Sequence, residues 1–109
     1  MDAVLAAIAD PHQRTLLHAL GEGPATVNEL AELVPIARPG VSRHLRILRE
    51  AGLVVARQDA QRRIYELRPA PLAELDEWLA PYRRMWAHRL DALATEVSRG
   101  KRERTTTDD

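Results

Sequence analysis

Residues 38–54 read RPGVSRHLRILREAGLV, and this stretch decides the fold. The first part predicts a helix over Pro39–Ala51, in which each residue turns the chain by about 100°. The apolar positions of this helix share one face: Val41, Leu45 and Leu48. The opposite face carries Ser42 and most of the arginines, and Gly52 is suited to a C-terminal cap. The stretch therefore predicts an amphipathic helix with an apolar inner face and a basic outer face.

Three shorter helices are predicted before this basic helix. The first covers residues 2–9, and Asp10 followed by Pro11 is typical of the start of a second. The sequence from Thr26 to Glu29 matches a capping box and predicts a third helix over Val27–Val34, which Pro35 ends. A capped helix, a tight turn and a basic helix together indicate a helix-turn-helix, whose second helix enters the DNA major groove.

A β-hairpin is predicted directly after the basic helix. Residues 53–57 are short and β-branched, residues 63–67 alternate polar with apolar, and the polar run 58–61 joins them. The tip lacks Asn-Gly, so the turn type stays open. A hairpin in this position is a wing, and its arginines suit contacts with phosphates or the minor groove.

A long helix is predicted after Pro71. Its apolar residues recur at 72, 75, 79, 82, 86, 90, 93 and 97, with a mean spacing close to one helical turn. Pro81 lies inside this helix and is expected either to kink it or to split it. The sequence predicts one domain over residues 1–98 and a polar, disordered tail over residues 99–109.

Composition and charge narrow the class of protein. The chain has 109 residues, no cysteine and a formal net charge of zero. Residues 38–63 nevertheless hold seven arginines and two acids, a net charge of +5 between acidic flanks, which is a footprint for nucleic acid. No signal peptide or membrane span is recognisable, so the protein is expected in the cytoplasm. No phosphate-binding glycine loop or nucleophile–base pair is recognisable, so the protein is not expected to be an enzyme.

Three segments carry a family resemblance. Residues 38–54 resemble the recognition helix and first wing strand of the ArsR-type winged-helix repressors, residues 9–14 (ADPHQR) resemble the start of their second helix, and residues 62–67 (RRIYEL) resemble their second wing strand. The resemblance covers about residues 3–97. It implies a homodimeric, DNA-binding transcriptional regulator that represses its own operon, with a dimer interface formed by the first and last helices.

The predicted fold is mainly α with a small β-hairpin, a winged helix-turn-helix in the order α-α-α-α-β-β-α. Its partner is double-stranded DNA with an inverted-repeat operator. The residues predicted to contact DNA lie on the basic helix, on the wing and at the start of the third helix: Arg38, Ser42, Arg43, His44, Arg46, Arg57, Arg62, Arg63, Thr26 and Asn28. His44 lies at the edge of the apolar face, and either a phosphate contact or simple packing fits its position.

The apolar stripe of the last helix is too long for so small a domain to cover, which favours a dimer. The residues predicted to form that interface come from the first and last helices: Val4, Leu5, Ile8, Leu75, Leu79, Tyr82, Trp86, Leu90 and Leu93. The bulky side chains around Pro81, from Trp78 to Trp86, either pack in this interface or line a pocket for a small-molecule effector of unknown identity.

Two features separate this sequence from the metal-sensing members of the resembled family. The third helix has no cysteine, and Trp78 stands where some members place the histidine of an Asp-x-His pair after Asp76. Neither a metal nor a cofactor is expected, since zinc needs three or four ligands in a defined geometry. The rival hypothesis is a winged helix that binds another protein and has no specific DNA site.

Overall fold

The computed structural model describes the backbone of residues 1–107 and the side chains of residues 1–100. Within these limits the elements follow the order α1 (Asp2–Ile8), α2 (Pro11–Glu22), β1 (Ala25–Thr26), α3 (Val27–Ala31), α4 (Arg38–Glu50), β2 (Val54–Asp59), β3 (Arg62–Leu67) and α5 (Ala70–Thr107). The chain divides into two compact units, Met1–Leu75 and a second that begins at Asp76. The first unit has the predicted arrangement of a helix-turn-helix followed by a wing.

Helix α4 is the basic helix that the sequence predicts. Val41, Leu45 and Leu48 are fully buried. At its C-terminus Gly52 adopts a left-handed φ of 80°. The Gly52 amide donates to the Arg49 carbonyl at 3.0 Å and the Leu53 amide donates to the Leu48 carbonyl at 3.0 Å. This pair of bonds is a Schellman motif, which confirms Gly52 as the residue that ends the helix.

Helix α2 starts at the predicted cap. The Asp10 carboxylate accepts hydrogen bonds from the backbone amides of His12 at 2.8 Å and Gln13 at 3.1 Å. Pro11 occupies the first helical position, where its missing N–H costs nothing. The Gln13 amide is the main cause that lowers the pKa of Asp10, with smaller contributions from the His12 amide and the nearby histidines.

Replacing Asp10 with alanine is expected to lower the free energy of unfolding at pH 7 by about 1 kcal/mol, because two α2 amides lose their acceptor. Since folding lowers the pKa of Asp10, its stabilisation is fully present above the unfolded pKa and is lost as the pH falls through the folded pKa. Urea unfolding of both proteins at decreasing pH should show the difference shrinking. Asp10→Asn is the control, because it keeps the acceptor without the charge. A difference that stays constant into strong acid would contradict this account.

Helix α3 is shorter than the predicted Val27–Val34, since it ends at Ala31. Pro35 disfavours helical backbone at the residue before it, so the chain turns early. The Leu33 amide donates to the Leu30 carbonyl at 3.1 Å in this turn. Val34 is buried and Leu33 is exposed as a result.

The wing belongs to a three-stranded antiparallel sheet with the order β1-β3-β2. Strand β1 is not predicted from the sequence, because two residues are too few to show an alternation. It pairs Ala25 with Tyr65. A two-residue turn closes the hairpin between the paired Asp59 and Arg62. Ala60 adopts a left-handed φ of 56° in this turn, a conformation for which glycine is the usual choice.

The core of the first unit draws on helices α1 to α4, on strands β2 and β3, and on the connecting segments. Its buried apolar residues are Val4, Ala7, Leu16, Leu20, Leu30, Val34, Val41, Leu45, Leu48, Leu53, Val54 and Tyr65. Val4 is predicted at a dimer surface, but its side chain is only 4% exposed and packs in this core. Ile8 also packs against the core, whereas Leu5 is exposed. Of the α1 residues predicted at the dimer surface, Leu5 alone is well exposed.

Helix α5 continues without a break through Pro81. Leu79 and Ala80 before Pro81, and residues 83–85 shortly after it, are good helix formers, which favours continuation of the helix past the proline. The helix also continues to Thr107 across most of residues 99–109, where the sequence predicts a disordered tail. Extending an existing helix is far easier than starting one, and Lys101, Arg102, Glu103 and Arg104 are good helix formers. Residues 108 and 109 lie outside the described part of the chain.

Candidate nucleic-acid interface

The solvent face of α4 carries arginines from its first turn to its last, and Glu50 is the acidic residue at its C-terminal end. Ser42, Arg43, Arg46 and Arg49 are exposed on this face, and Arg38 is exposed at the first turn. Within the described side chains, none of the ion pairs involves an arginine of α4. The guanidinium groups of this face are therefore available to an external anion.

A groove of about 430 Å³ separates α4 from the wing. Its lining residues are Pro39, Ser42, Arg43, Arg46, Arg49, Arg63 and Tyr65. Arg63 lies over the ring of Tyr65 at 5.6 Å from the ring centre, a cation–π contact that orients this wing arginine. Four arginines and no acidic residue line the groove, which suits a polyanion. Arg49 also lines the groove, although it is absent from the predicted DNA contacts. Its position on the polar face of α4 is the feature of the sequence that could have predicted this.

A second cleft, of about 570 Å³, lies between the start of α3 and the wing. Its lining residues are Thr26, Val27, Asn28, Glu29, Arg38, Ser42, Gln61, Arg62, Arg63 and Tyr65. Together the groove and the cleft bring eight of the ten predicted DNA contacts to one side of the first unit. The remaining two, Arg57 and His44, lie in other environments.

The capping box that starts α3 occupies the edge of this cleft. The Thr26 amide and hydroxyl donate to one Glu29 carboxylate oxygen at 3.0 and 2.9 Å, and the Thr26 hydroxyl accepts from the Glu29 amide at 3.3 Å. These bonds from Thr26, followed by the positive charge of Arg62, lower the pKa of Glu29. The Thr26 hydroxyl proton is therefore committed to Glu29, and Asn28 is the freer donor of the two predicted contacts.

Arg57 has a partner within the wing. Its Nε donates to the Glu66 carboxylate at 3.0 Å. Arg57 on β2 and Glu66 on β3 face each other diagonally across the hairpin, where the pairing aligns Val55 with Glu66 and Arg57 with Ile64. This ion pair makes Arg57 a weaker candidate for phosphate contact than Arg62 or Arg63.

His44 faces the interior, as in the packing interpretation of its position. Its side chain is 13% exposed. Its Nδ1 lies 2.8 Å from the Gln13 Oε1 atom and 3.9 Å from the Asp10 carboxylate. The His12 ring stands edge-on to the His44 ring at 5.7 Å. Gln13 shows no signal in the sequence that predicts this role, because its partner lies 31 residues away.

The second unit presents apolar surface of its own. Seven large side chains on α5 are each 46–59% exposed: Trp78, Tyr82, Met85, Trp86, Leu90, Leu93 and Val97. The Trp78 and Tyr82 rings pack at 5.1 Å. In the described part of the chain, no helix is long and apolar enough to cross a membrane. Nor does any cluster of three histidine or acidic side chains there have the arrangement of a metal site.

A helix-turn-helix whose second helix carries an unpaired row of arginines beside a basic wing defines a winged-helix DNA-binding protein. A family model described as a helix-turn-helix domain matches residues 8–57. The HTH-type transcriptional regulator Rv2034 of Mycobacterium tuberculosis is 40% identical over 85% of this chain and 84% of its own length. The transcriptional repressor SdpR of Bacillus subtilis is 33% identical over 72% of this chain and 88% of its own length.

Solved structures agree with these sequence relatives. The crystal structure of the ArsR family transcriptional regulator RHA00566 is 30% identical and has a TM-score of 0.71, covering 78% of this chain and 93% of that one. The chain therefore belongs to the ArsR family of winged helix-turn-helix proteins and is a DNA-binding transcriptional regulator.

Proposed function

We propose that this regulator is a homodimer that represses its own operon by binding an inverted-repeat operator. In each subunit α4 enters the major groove and the wing holds the flanking backbone. The observation that carries the proposal is the groove in which Arg43, Arg46 and Arg49 of α4 face Arg63 of the wing.

The exposed arginines of α4 and the cleft beside α3 are suited to different parts of the DNA. Arginine meets the O6 and N7 atoms of guanine through two parallel hydrogen bonds, so Arg43 and Arg46 on the exposed face of α4 are suited to reading bases. Ser42, one residue before Arg43, suits either a base or a phosphate. Arg38, Arg62 and Arg63 line the cleft beside the start of α3, and this cleft suits a phosphate group of the DNA backbone.

The exposed apolar side chains of α5 support the dimer. An apolar patch of this kind on a small protein marks an interaction surface, and most homo-oligomers are two-fold dimers. Two-fold symmetry presents two copies of α4 to the DNA. The operator is then an inverted repeat with half-sites about one helical turn apart.

Titration of a fluorescent duplex with the purified protein tests this proposal. The probes are DNA from immediately upstream of its own coding sequence and a scrambled duplex of equal composition. We expect tight binding to the upstream DNA only, with log affinity falling steeply against log salt; a slope of about −6 corresponds to about seven neutralised phosphates. Equal, weak binding to the two duplexes would contradict repression of its own operon. Absence of binding at low salt would favour a protein partner instead.

The wing arginines are expected to differ in this titration. Arg63→Ala should reduce the salt slope by about two for a dimer, because each lost phosphate contact removes about one unit. Arg57→Ala removes the same charge, but its guanidinium is bonded to Glu66, so its slope should stay close to that of the wild type. Equal changes in the two variants would show that the Arg57–Glu66 pair opens on DNA.

A further inference from the structure

We propose that Gln13 and His44 are positioning residues that fix the rotation of α4 about its own axis and thereby determine which bases its arginines reach. This inference rests on the proposed function, in which α4 reads the DNA. Neither side chain needs to touch DNA for this role.

Gln13 has the only buried polar or charged side chain in residues 1–100, at 3% exposed. Its Nε2 donates to the Ala7 carbonyl at 2.6 Å, and its Oε1 lies 2.8 Å from Nδ1 of His44. A carbonyl can only accept, so the first bond settles the orientation of the amide. It follows that Oε1 is the acceptor and that His44 Nδ1 carries a proton. Both ends of the amide are satisfied by this one arrangement.

The Gln13 amide joins three helices. Ala7 belongs to α1, Gln13 to α2 and His44 to α4. The hydrogen bond from Arg14 to the Ile8 carbonyl joins α2 to α1 and does not involve α4. The helices also pack through buried apolar side chains such as Leu16 and Leu45. Apolar packing is not directional, whereas a hydrogen bond weakens steeply with angle. The bond from His44 to Gln13 is therefore the contact that favours one rotation of α4 about its axis over slightly different rotations.

The carboxylate of Asp10 in turn holds Gln13 in position. Its backbone amide donates to the Asp10 carboxylate at 3.1 Å, and the same carboxylate oxygen lies 3.9 Å from His44 Nδ1. The cap of α2 and the imidazole on α4 thus share one acidic group. His12 closes another side, with its ring edge-on to that of His44.

Rotation matters for base contacts more than for phosphate contacts. His44 stands directly beside Arg43 and two residues before Arg46. A side chain reaches about 6 Å from the axis of its helix, so a rotation of about 30° displaces its end by about 3 Å, the length of a hydrogen bond. Bidentate contacts to guanine do not survive this displacement. Flexible arginines still find phosphates, so binding without sequence preference persists.

The test compares Gln13→Leu with Arg14→Ala. Arg14 donates to the Ile8 and Ala9 carbonyls at 2.9 and 3.0 Å, so its loss also removes two bonds at the end of α1 but none to α4. The probes are a duplex that the wild-type protein enriches from a random-sequence library and a scrambled version. For Gln13→Leu we expect the ratio of the two affinities to fall about tenfold or more. Its binding to the scrambled duplex and its salt slope should stay within about twofold of the wild type. Arg14→Ala should keep the ratio.

His44 supplies a conservative rescue. Asparagine can place its side-chain NH₂ where the histidine has Nδ1 and keep the bond to Gln13. His44→Asn should therefore retain most of the affinity ratio, and His44→Leu should lose it as Gln13→Leu does. If circular dichroism shows that Gln13→Leu does not fold, the comparison of His44→Asn with His44→Leu tests the inference on its own.

Three results would overturn the inference. The first is a loss of the ratio in Arg14→Ala as large as in Gln13→Leu, which would make the role of Gln13 purely structural. The second is equal behaviour of His44→Asn and His44→Leu. The third is a wild-type protein that enriches no sequence; this result refutes the proposed function itself, whereas the first two leave it standing.

Discussion

Replacing Arg43 and Arg46 together with alanine is expected to abolish sequence-specific DNA binding and leave the fold intact. Both side chains are exposed and line the groove between α4 and the wing. A bidentate contact from arginine to guanine discriminates by about 1–3 kcal/mol. Two such contacts in each of two subunits amount to at least about 4 kcal/mol, which is about a thousandfold in affinity.

Fluorescence anisotropy with the enriched duplex measures this loss. The matched control is Arg84→Ala combined with Arg99→Ala, which removes the same charge from exposed positions on α5. We expect the control to bind within a few-fold of the wild type. A loss of the same size in both double variants would mean that net charge, not the surface of α4, determines binding. Unchanged binding in the Arg43 and Arg46 variant would show that these arginines of α4 do not contribute to DNA binding.

Local signals predict most of the fold, because its helices begin and end on side chains close in sequence. Asp10 with Pro11 starts α2, the Thr26–Glu29 capping box starts α3, and Gly52 ends α4. Each of these motifs acts within five residues, so it is readable without tertiary information. Strand β1 is not predicted from the sequence, because its conformation depends on residues far away in the chain. Ala25 and Thr26 are extended because they pair with β3, about forty residues later.

The residues of the candidate site also differ in whether local sequence or distant contacts determine their positions. The helical spacing of α4 predicts that Ser42, Arg43 and Arg46 are exposed together, and the structure places them so. The same spacing leaves His44 undecided, since the edge of a face is compatible with either environment. Gln13 resolves the choice through a bond across 31 residues. Arg57 and Glu66 likewise pair across the hairpin, so an arginine that suits DNA in the sequence has a partner in the fold.

Replacing Trp86 and Leu90 on α5 with aspartate is expected to convert the proposed dimer to monomers. These side chains are 46% and 59% exposed and lie one helical turn apart. Burial of a large apolar side chain contributes about 1.5–3 kcal/mol, and two-fold symmetry doubles the number lost to four. A weakening of dimerisation by at least three orders of magnitude follows, since about 1.4 kcal/mol corresponds to a factor of ten.

Light scattering across a range of protein concentrations measures the change in mass. The matched control is His88→Asp combined with Thr95→Asp, which adds two carboxylates at exposed positions on the opposite side of the same helix. We expect the control to remain dimeric and the Trp86 and Leu90 variant to lose affinity for a complete operator while keeping weak affinity for a half-site. This pattern follows because a monomer presents one copy of α4, and the second half-site no longer contributes to the same binding event. A wild-type protein that is monomeric at every concentration would contradict the proposed dimer.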